Sequence, residues 1–171
     1  SIMIRVGAVI VILTVIAALS APWVVPYDPA RQQLSLRLER PSVQHPFGLD
    51  ELGRDIFSRV LAGARISLLV GIIVVGISSA LGIALGAVAG YFGGWLDEVI
   101  SRTIDVLLAF PGILLAIALM SLFGSSIQNV VVAISIAEIP RMARIVRSSV
   151  LVIREQPYVE AAVAAGTSLP R

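Results

Sequence analysis

The stretch that decides the fold is Ile66-Ser67-Leu68-Leu69-Val70-Gly71-Ile72-Ile73-Val74-Val75-Gly76-Ile77-Ser78-Ser79-Ala80-Leu81-Gly82-Ile83-Ala84-Leu85-Gly86-Ala87-Val88-Ala89-Gly90-Tyr91-Phe92-Gly93-Gly94-Trp95-Leu96. It contains no charged side chain and exceeds the roughly 20 helical residues needed to cross a hydrocarbon core. The uncharged character returns on either side, in Val6–Tyr27 and in Val106–Ala137. Over the whole chain of 171 residues, 57% are hydrophobic, 14% are charged and mean hydropathy is +0.95. An average soluble domain is roughly a quarter charged, and a chain this short has no interior large enough to hide so much apolar surface. Disorder is excluded for the opposite reason, since there is ample material to bury. The chain belongs in a bilayer.

The run from Val106 to Ala137 is too long for one span, and Gly124-Ser125-Ser126 with Gln128-Asn129 divides it. Four spans are expected, near 4–24, 66–89, 99–123 and 127–152. The last has the fewest apolar residues before Glu138-Ile139-Pro140-Arg141. A second reading of the first segment stays open: Arg5, the apolar run and Ala18-Leu19-Ser20 also describe a cleavable signal peptide. The membrane-like segments that follow weigh against it.

A polar loop over 25–65, punctuated by Pro26, Pro29, Pro41 and Pro46, separates the first two spans. Its end reads as an amphipathic helix near 50–64, with Asp50 as N-cap and Leu52, Ile56, Phe57, Val60, Leu61 and Ala64 on one face. Such a helix lies at an interface or packs on protein.

Charge excludes several function classes. All 13 basic residues are Arg and there are 11 acidic ones, net +2. Without Lys there is no Walker A lysine and no Schiff base, so any ATP must be bound by another chain. Without Cys there is no disulfide framework and no thiolate nucleophile or ligand. The lone His45 makes a poor metal site, and no basic patch offers a track for nucleic acid. Orientation is undecided on charge, because six Arg fall in the first loop and seven on the opposite side.

Gly82, Gly86 and Gly90 recur every four residues and share one helical face, the pattern that admits a neighbouring helix in lipid. Glu98 and Arg102 are spaced as a helical ion pair. Asp105 enters the third span just before Phe110-Pro111-Gly112, which should kink it. An acid there belongs to a transport path or pairs with Arg102. Glu138 follows a long uncharged run and either pairs with Arg141 or lines a polar cavity. Arg141, Arg144 and Arg147 have the three-residue spacing of a voltage sensor, but three arginines at the end of a span are better read as interfacial. After the last span, 157–166 reads as a short helix. Pro157 stands in its first turn, Glu160 near its positive end and Gly166 at its stop.

The string Glu160-Ala161-Ala162, with Gly166 four residues on, resembles the first half of the cytoplasmic motif of ABC importer permeases. Three further strings, in family order, resemble the dipeptide/oligopeptide/nickel branch. They are Ala21-Pro22-Trp23 through Pro26-Tyr27-Asp28-Pro29; His45-Pro46-Phe47-Gly48-Leu49-Asp50-Glu51-Leu52-Gly53-Arg54-Asp55 through Gly63-Ala64-Arg65-Ile66-Ser67-Leu68; and Ala89-Gly90-Tyr91-Phe92-Gly93-Gly94-Trp95 with Asp105-Val106-Leu107-Leu108-Ala109-Phe110-Pro111. The resemblance implies an all-α integral membrane protein: a type I ABC importer transmembrane domain with four of six expected spans present, both termini of the full protein cytoplasmic, and a coupling helix at 157–166. It places 25–65 in the periplasm, and 91–98 with 154–171 in the cytoplasm of a bacterial or archaeal cell, as a multi-pass protein of the inner membrane. The implied partners are a second permease subunit (a heterodimer), two ATPase subunits that bind ATP and Mg, a periplasmic or extracellular solute-binding protein, and lipid.

By carry-over, Tyr158, Glu160, Ala161, Ala162 and Gly166 dock on the ATPase, while this chain itself holds no cofactor or metal and catalyses no covalent step. Dipeptides or oligopeptides are the implied cargo, with nickel or another small solute as the alternative. A non-transporting membrane scaffold is the reading from a different class. Leu49 stands where the family usually has Thr, and Pro157 where it usually has an acid. The end at Leu169-Pro170-Arg171, before the expected fifth and sixth spans, reads as a fragment of a longer polypeptide.

Overall fold

The computed structural model describes residues 2–124 and 126–166; Ser125 of the glycine-serine break and the terminal Leu169-Pro170-Arg171 lie outside them. Among the described residues six α-helices follow in order: α1 Ile2–Val24, α2 Ile56–Phe92, α3 Gly94–Ala109, α4 Gly112–Phe123, α5 Ile127–Arg154 and α6 Pro157–Ala164. The chain divides into two compact units, Ser1–Gly71 and Ile72–Arg171.

In the first unit α1 is apolar apart from Arg5, Thr14 and Ser20, and of its residues only Ala18 and Ala21 are buried. Its 23 residues span about 35 Å, enough for a core of about 30 Å. Thr14 returns its hydroxyl hydrogen to the Ile10 carbonyl at 2.8 Å, the in-helix satisfaction that lipid demands.

The helix expected near 50–64 begins later, at Ile56, and runs without a break into the second apolar segment. The physical reason is a change of cap. Asp50 caps no helix; it closes a tight turn, accepting the backbone N–H groups of Leu52 and Arg54, each at 2.9 Å, and the Arg54 Nε–H at 2.8 Å. A further ion pair joins Asp50 to Arg59. The N-cap role falls to Asp55, whose carboxylate accepts the Ser58 N–H at 2.7 Å and whose carbonyl accepts the Arg59 N–H. Around this cap the loop folds on itself. His45 Nδ1 lies 2.9 Å from Asp55 Oδ1, and the buried Ser58 hydroxyl accepts the Tyr27 N–H at 3.3 Å. Tyr27 and His45 stack at 4.8 Å, and Phe47 meets Phe57 edge to face. An ionised carboxylate only accepts, so His45 Nδ1 carries the hydrogen. His45 is thus a structural residue of the loop.

Both carboxyls are held in their ionised form. Asp50 is lowered from 3.8 to about 2, first by the Arg54 backbone N–H, with Leu52 and the Arg54 side chain adding to it against desolvation. Burial pushes Asp55 up, but hydrogen bonds from Ser58 and His45 outweigh it and leave the group below its usual value. A lowered carboxylate contributes stability that is complete above its unfolded pKa of about 4 and is lost as pH falls through the folded value. The loop is therefore expected to hold at pH 5 and to loosen as pH falls from about 4 toward about 2. Pepsin cleavage between Arg31 and Asp55, normalised to a denatured control, reads this opening; a flat profile over that window would contradict it.

In the second unit α2 and α3 are joined by Gly93 and Gly94, both at positive φ (66° and 59°), a turn that a Cβ would strain. The expected span 99–123 is not one helix. α3 and α4 meet at an angle of 89°, because Pro111 has no N–H to continue the ladder and holds Phe110 in extended backbone (φ −90°, ψ 134°). Together they form a broken span or a re-entrant pair. α1 and α2 are each long and apolar enough to cross a membrane, and the α3–α4 pair passes the same test as one span. α5, the fourth expected span, does not, since its C-terminal half carries Glu138, Arg141, Arg144, Arg147 and Arg154. Those charges instead meet partners on its own surface and on neighbouring helices, and α5 buries Val131, Ala133, Ser135, Pro140 and Ala143. The Ser126 hydroxyl caps α5 by accepting the Asn129 N–H at 3.2 Å.

Candidate functional site

The candidate elements gather around the second half of α5. On one side lies α2, which presents its four-residue glycine repeat. A Cβ placed on Gly82 would stand 2.6 Å from the Met142 Cβ, and one on Gly90 would stand 2.8 Å from the Val150 Cβ. At Gly86 it would strike the Ala143 carbonyl oxygen, with the Val146 Cβ at 2.8 Å and the Arg147 backbone nitrogen at 3.0 Å. Only hydrogen fits in these three places, so the two backbones approach more closely than any side chain allows. Ala143 is fully buried as a result.

On another side lies α3, held to α5 by charge. Arg147 grips Asp97 with two nitrogens, Nε on Oδ1 and Nη2 on Oδ2, the latter at 2.7 Å. Ser101 donates to Asp97 Oδ1 at 3.0 Å. Two turns along α3 from Asp97, Asp105 pairs with Arg144. Asp97, Ser101 and Asp105 recur every four residues and so form one polar face of α3. The expected Asp105–Arg102 pair does not form: Arg102 turns to Glu98, 2.9 Å away. Asp97 and Arg147 are half-buried, their side chains 20% and 32% exposed, while Asp105 and Arg144 lie in the open. The bidentate pair is thus the better protected of the two and the stronger geometry.

Glu138 pairs with Arg141 on its own helix at 3.0 Å and is 38% exposed. It borders two clefts of α5. One, of about 150 Å³, includes Ser78 and Ser79 of α2. The other, of about 590 Å³, runs along α4 past Pro111, Gly112 and Ala116. The three-residue arginine series is therefore an ion-pair seam, with Arg141 on Glu138, Arg144 on Asp105 and Arg147 on Asp97. Among the described residues no group of three or more His, Cys, Asp or Glu could hold a metal ion.

Beyond this seam α5 ends at Arg154, whose Nη1 donates to the Tyr91 carbonyl at 3.3 Å. Gln156 is in extended backbone, Pro157 opens α6, and Glu160 sits in its first turn. α6 is two residues shorter than the expected 157–166. It stops at Ala164 and unwinds through Gly166, whose φ of +81° favours glycine. Tyr158, Glu160, Ala161, Ala162 and Gly166 are all exposed, and α6 buries none of its residues. Between α6 and the end of α5 lies a cleft of about 630 Å³, bordered by Leu151, Arg154, Val159 and Val163.

Residues 82–171, which hold the glycine seam, the ion pairs and α6, match the family described as binding-protein-dependent transport system inner membrane component. The chain belongs to that family. Residues 3–41 match a second description, the N-terminal transmembrane domain of oligopeptide transport permease C. Among curated proteins, the glutathione transport system permease protein GsiD of Escherichia coli O6:K15:H31 is 49% identical over 163 residues, covering 95% of this chain and 54% of that protein. GsiD of Shigella sonnei gives the same values, and GsiD of Escherichia coli O1:K1 is 48% identical over the same length. The chain spans about half the length of these relatives. Its described regular structure is helical, with apolar helices, as suits the membrane component of that family.

The cross-helix pairing of three residues central to this candidate site carried no signal in the sequence. Asp97, Arg144 and Arg147 meet partners 39 and 50 positions away. The one available clue was spacing: Asp97, Ser101 and Asp105 recur every fourth residue of α3, and the α5 arginines every third.

Proposed function

We propose that this chain is part of one permease subunit of an ATP-driven, binding-protein-dependent importer for small peptide-like solutes. The supporting observation is α6, an eight-residue helix that buries none of its residues and leaves Tyr158 and Val163 at 65% and 66% exposure. A helix this short is marginal by itself in water, and an apolar, small-residue surface of this kind fits a groove on another protein. ATPase subunits in the cytoplasm are the proposed occupants of that surface, on the side of 91–98 and 154–166. The loop 25–65 then faces the periplasm and the solute-binding protein. A second permease subunit completes the path, and α5 is the fourth span, crossing with its arginines shielded by Asp97, Asp105 and Glu138.

The glutathione in the relatives' name supports a peptide-like solute, a short peptide bearing free charged ends, and dipeptides and oligopeptides share that chemistry. Uptake of labelled glutathione and of a labelled dipeptide should be measured in cells lacking their own peptide permeases and supplied with the full-length protein and its partner subunits. Energy-dependent uptake of one solute, competed by the other, is the expected result. Equal uptake with and without the permease would overturn the reading and favour a scaffold.

A further inference from the structure

Arg147 lies between α2 and α3. Its backbone nitrogen and carbonyl oxygen lie where Cβ atoms on Gly86 and Gly90 would meet them, at 3.0 and 3.1 Å, so α2 rests directly on the main chain of this residue. Its side chain meanwhile reaches the other way and takes Asp97 of α3 in a two-nitrogen grip, half-buried. Three helices therefore meet at one residue. Seven residues further along α5, about 10 Å, Arg154 holds the Tyr91 carbonyl at the end of α2. The stretch of α5 that leads into α6 is thus fixed to α2 at two levels and to α3 at one.

The two cross-helix pairs differ in what they can transmit. Asp105–Arg144 is exposed on both sides, and an exposed pair contributes little. Asp97–Arg147 is bidentate and is oriented further by Ser101, which fixes direction as well as distance. We propose that Arg147 is the positioning residue of the permease, tying the base of α6 to α2 and α3 so that a displacement of α6 moves both helices together. This rests on the importer reading above. Without the tie, α5 and α6 still form, but motion of α6 is absorbed where α5 slides past α3 and is not passed to the membrane path.

The test uses the full-length protein with its partner permease, ATPases and binding protein in proteoliposomes. The variants are Arg147→Gln, Asp97→Asn, the exchanged pair Asp97→Arg with Arg147→Asp, and Arg102→Gln as a surface control. Three quantities are read: co-purified ATPase, ATP hydrolysed, and solute moved per ATP. Arg147→Gln and Asp97→Asn are expected to keep the ATPase and to lower solute moved per ATP about tenfold or more. The exchanged pair is expected to recover to within about threefold of wild type, and Arg102→Gln to match it. A wild-type ratio in both single variants overturns the inference. So does loss of the ATPase together with transport in both singles, without recovery in the exchanged pair, which marks a general folding role. If the wild-type complex contains no ATPase, the importer reading itself falls and takes this inference with it.

Discussion

Gly86→Leu is expected to yield almost no folded protein: less than about a tenth of the wild-type monodisperse peak in detergent. The side chain would begin where the Ala143 carbonyl oxygen already stands, with the Val146 Cβ and the Arg147 backbone at 2.8 and 3.0 Å. Two of these three neighbours are main chain, so no rotamer change relieves the clash and α2 must move off α5. Overpacking a fitted core by a few methylenes costs about 1–3 kcal/mol when side chains can adjust. Here the helices separate along their length, and the dispersion contacts of Gly82 with Met142 and Gly90 with Val150 go as well.

Gly86→Ala is the graded form, with a large fall in melting temperature and some folded protein. Gly76→Ala is the control on the same helix, because a Cβ there meets nothing within 4 Å. It should be neutral or stabilising by up to about 1 kcal/mol through helix propensity. Thermal melts of the three purified variants check the order. Gly86→Leu behaving like Gly76→Ala would refute the packing described.

The apolar segments and the glycine repeat were legible because each signal is local: an uncharged run, or a spacing of four. The turn at Phe110-Pro111-Gly112 was legible in place but not in size. Proline announces a break in the ladder, whereas the 89° between α3 and α4 depends on how each helix packs against α5. The start of α2 was misread for a subtler reason. Asp50 and Asp55 are both reasonable caps by residue type, and the choice between them is made by contacts that sequence does not display. Arg54 and Arg59 hold Asp50 in a turn, while His45 and Ser58 hold Asp55 at the helix end. The same limit hid the seam. Arg102 was the nearest basic residue in sequence to both Glu98 and Asp105, and it could satisfy only one of them. Asp105 turned instead to a helix 39 positions away.

The second large effect concerns α6. Glu160→Lys places a cation in the first turn of a helix whose N-terminal end is already positive, and it reverses the charge offered to a partner. Gly166→Trp forces a bulky residue to a φ of +81°, where an L side chain is strained, and puts an indole beside the exposed Ala161-Ala162 face. Neither site touches the glycine seam or the ion pairs, so the membrane helices should assemble normally in both variants. An ATPase contact resting on α6 should be lost by about tenfold or more, since Glu160 lies within this eight-residue helix and Gly166 two residues beyond its end, a small surface with little else to hold it.

Co-purification of an ATPase subunit with the tagged full-length protein from native membranes tests this most directly, comparing wild type, Glu160→Lys and Gly166→Trp at matched membrane expression. The ATPase is expected to accompany wild type and to be depleted from both variants while the partner permease stays bound to all three. Equal recovery of the ATPase with all three proteins, or its absence from an intact wild-type complex, would contradict it.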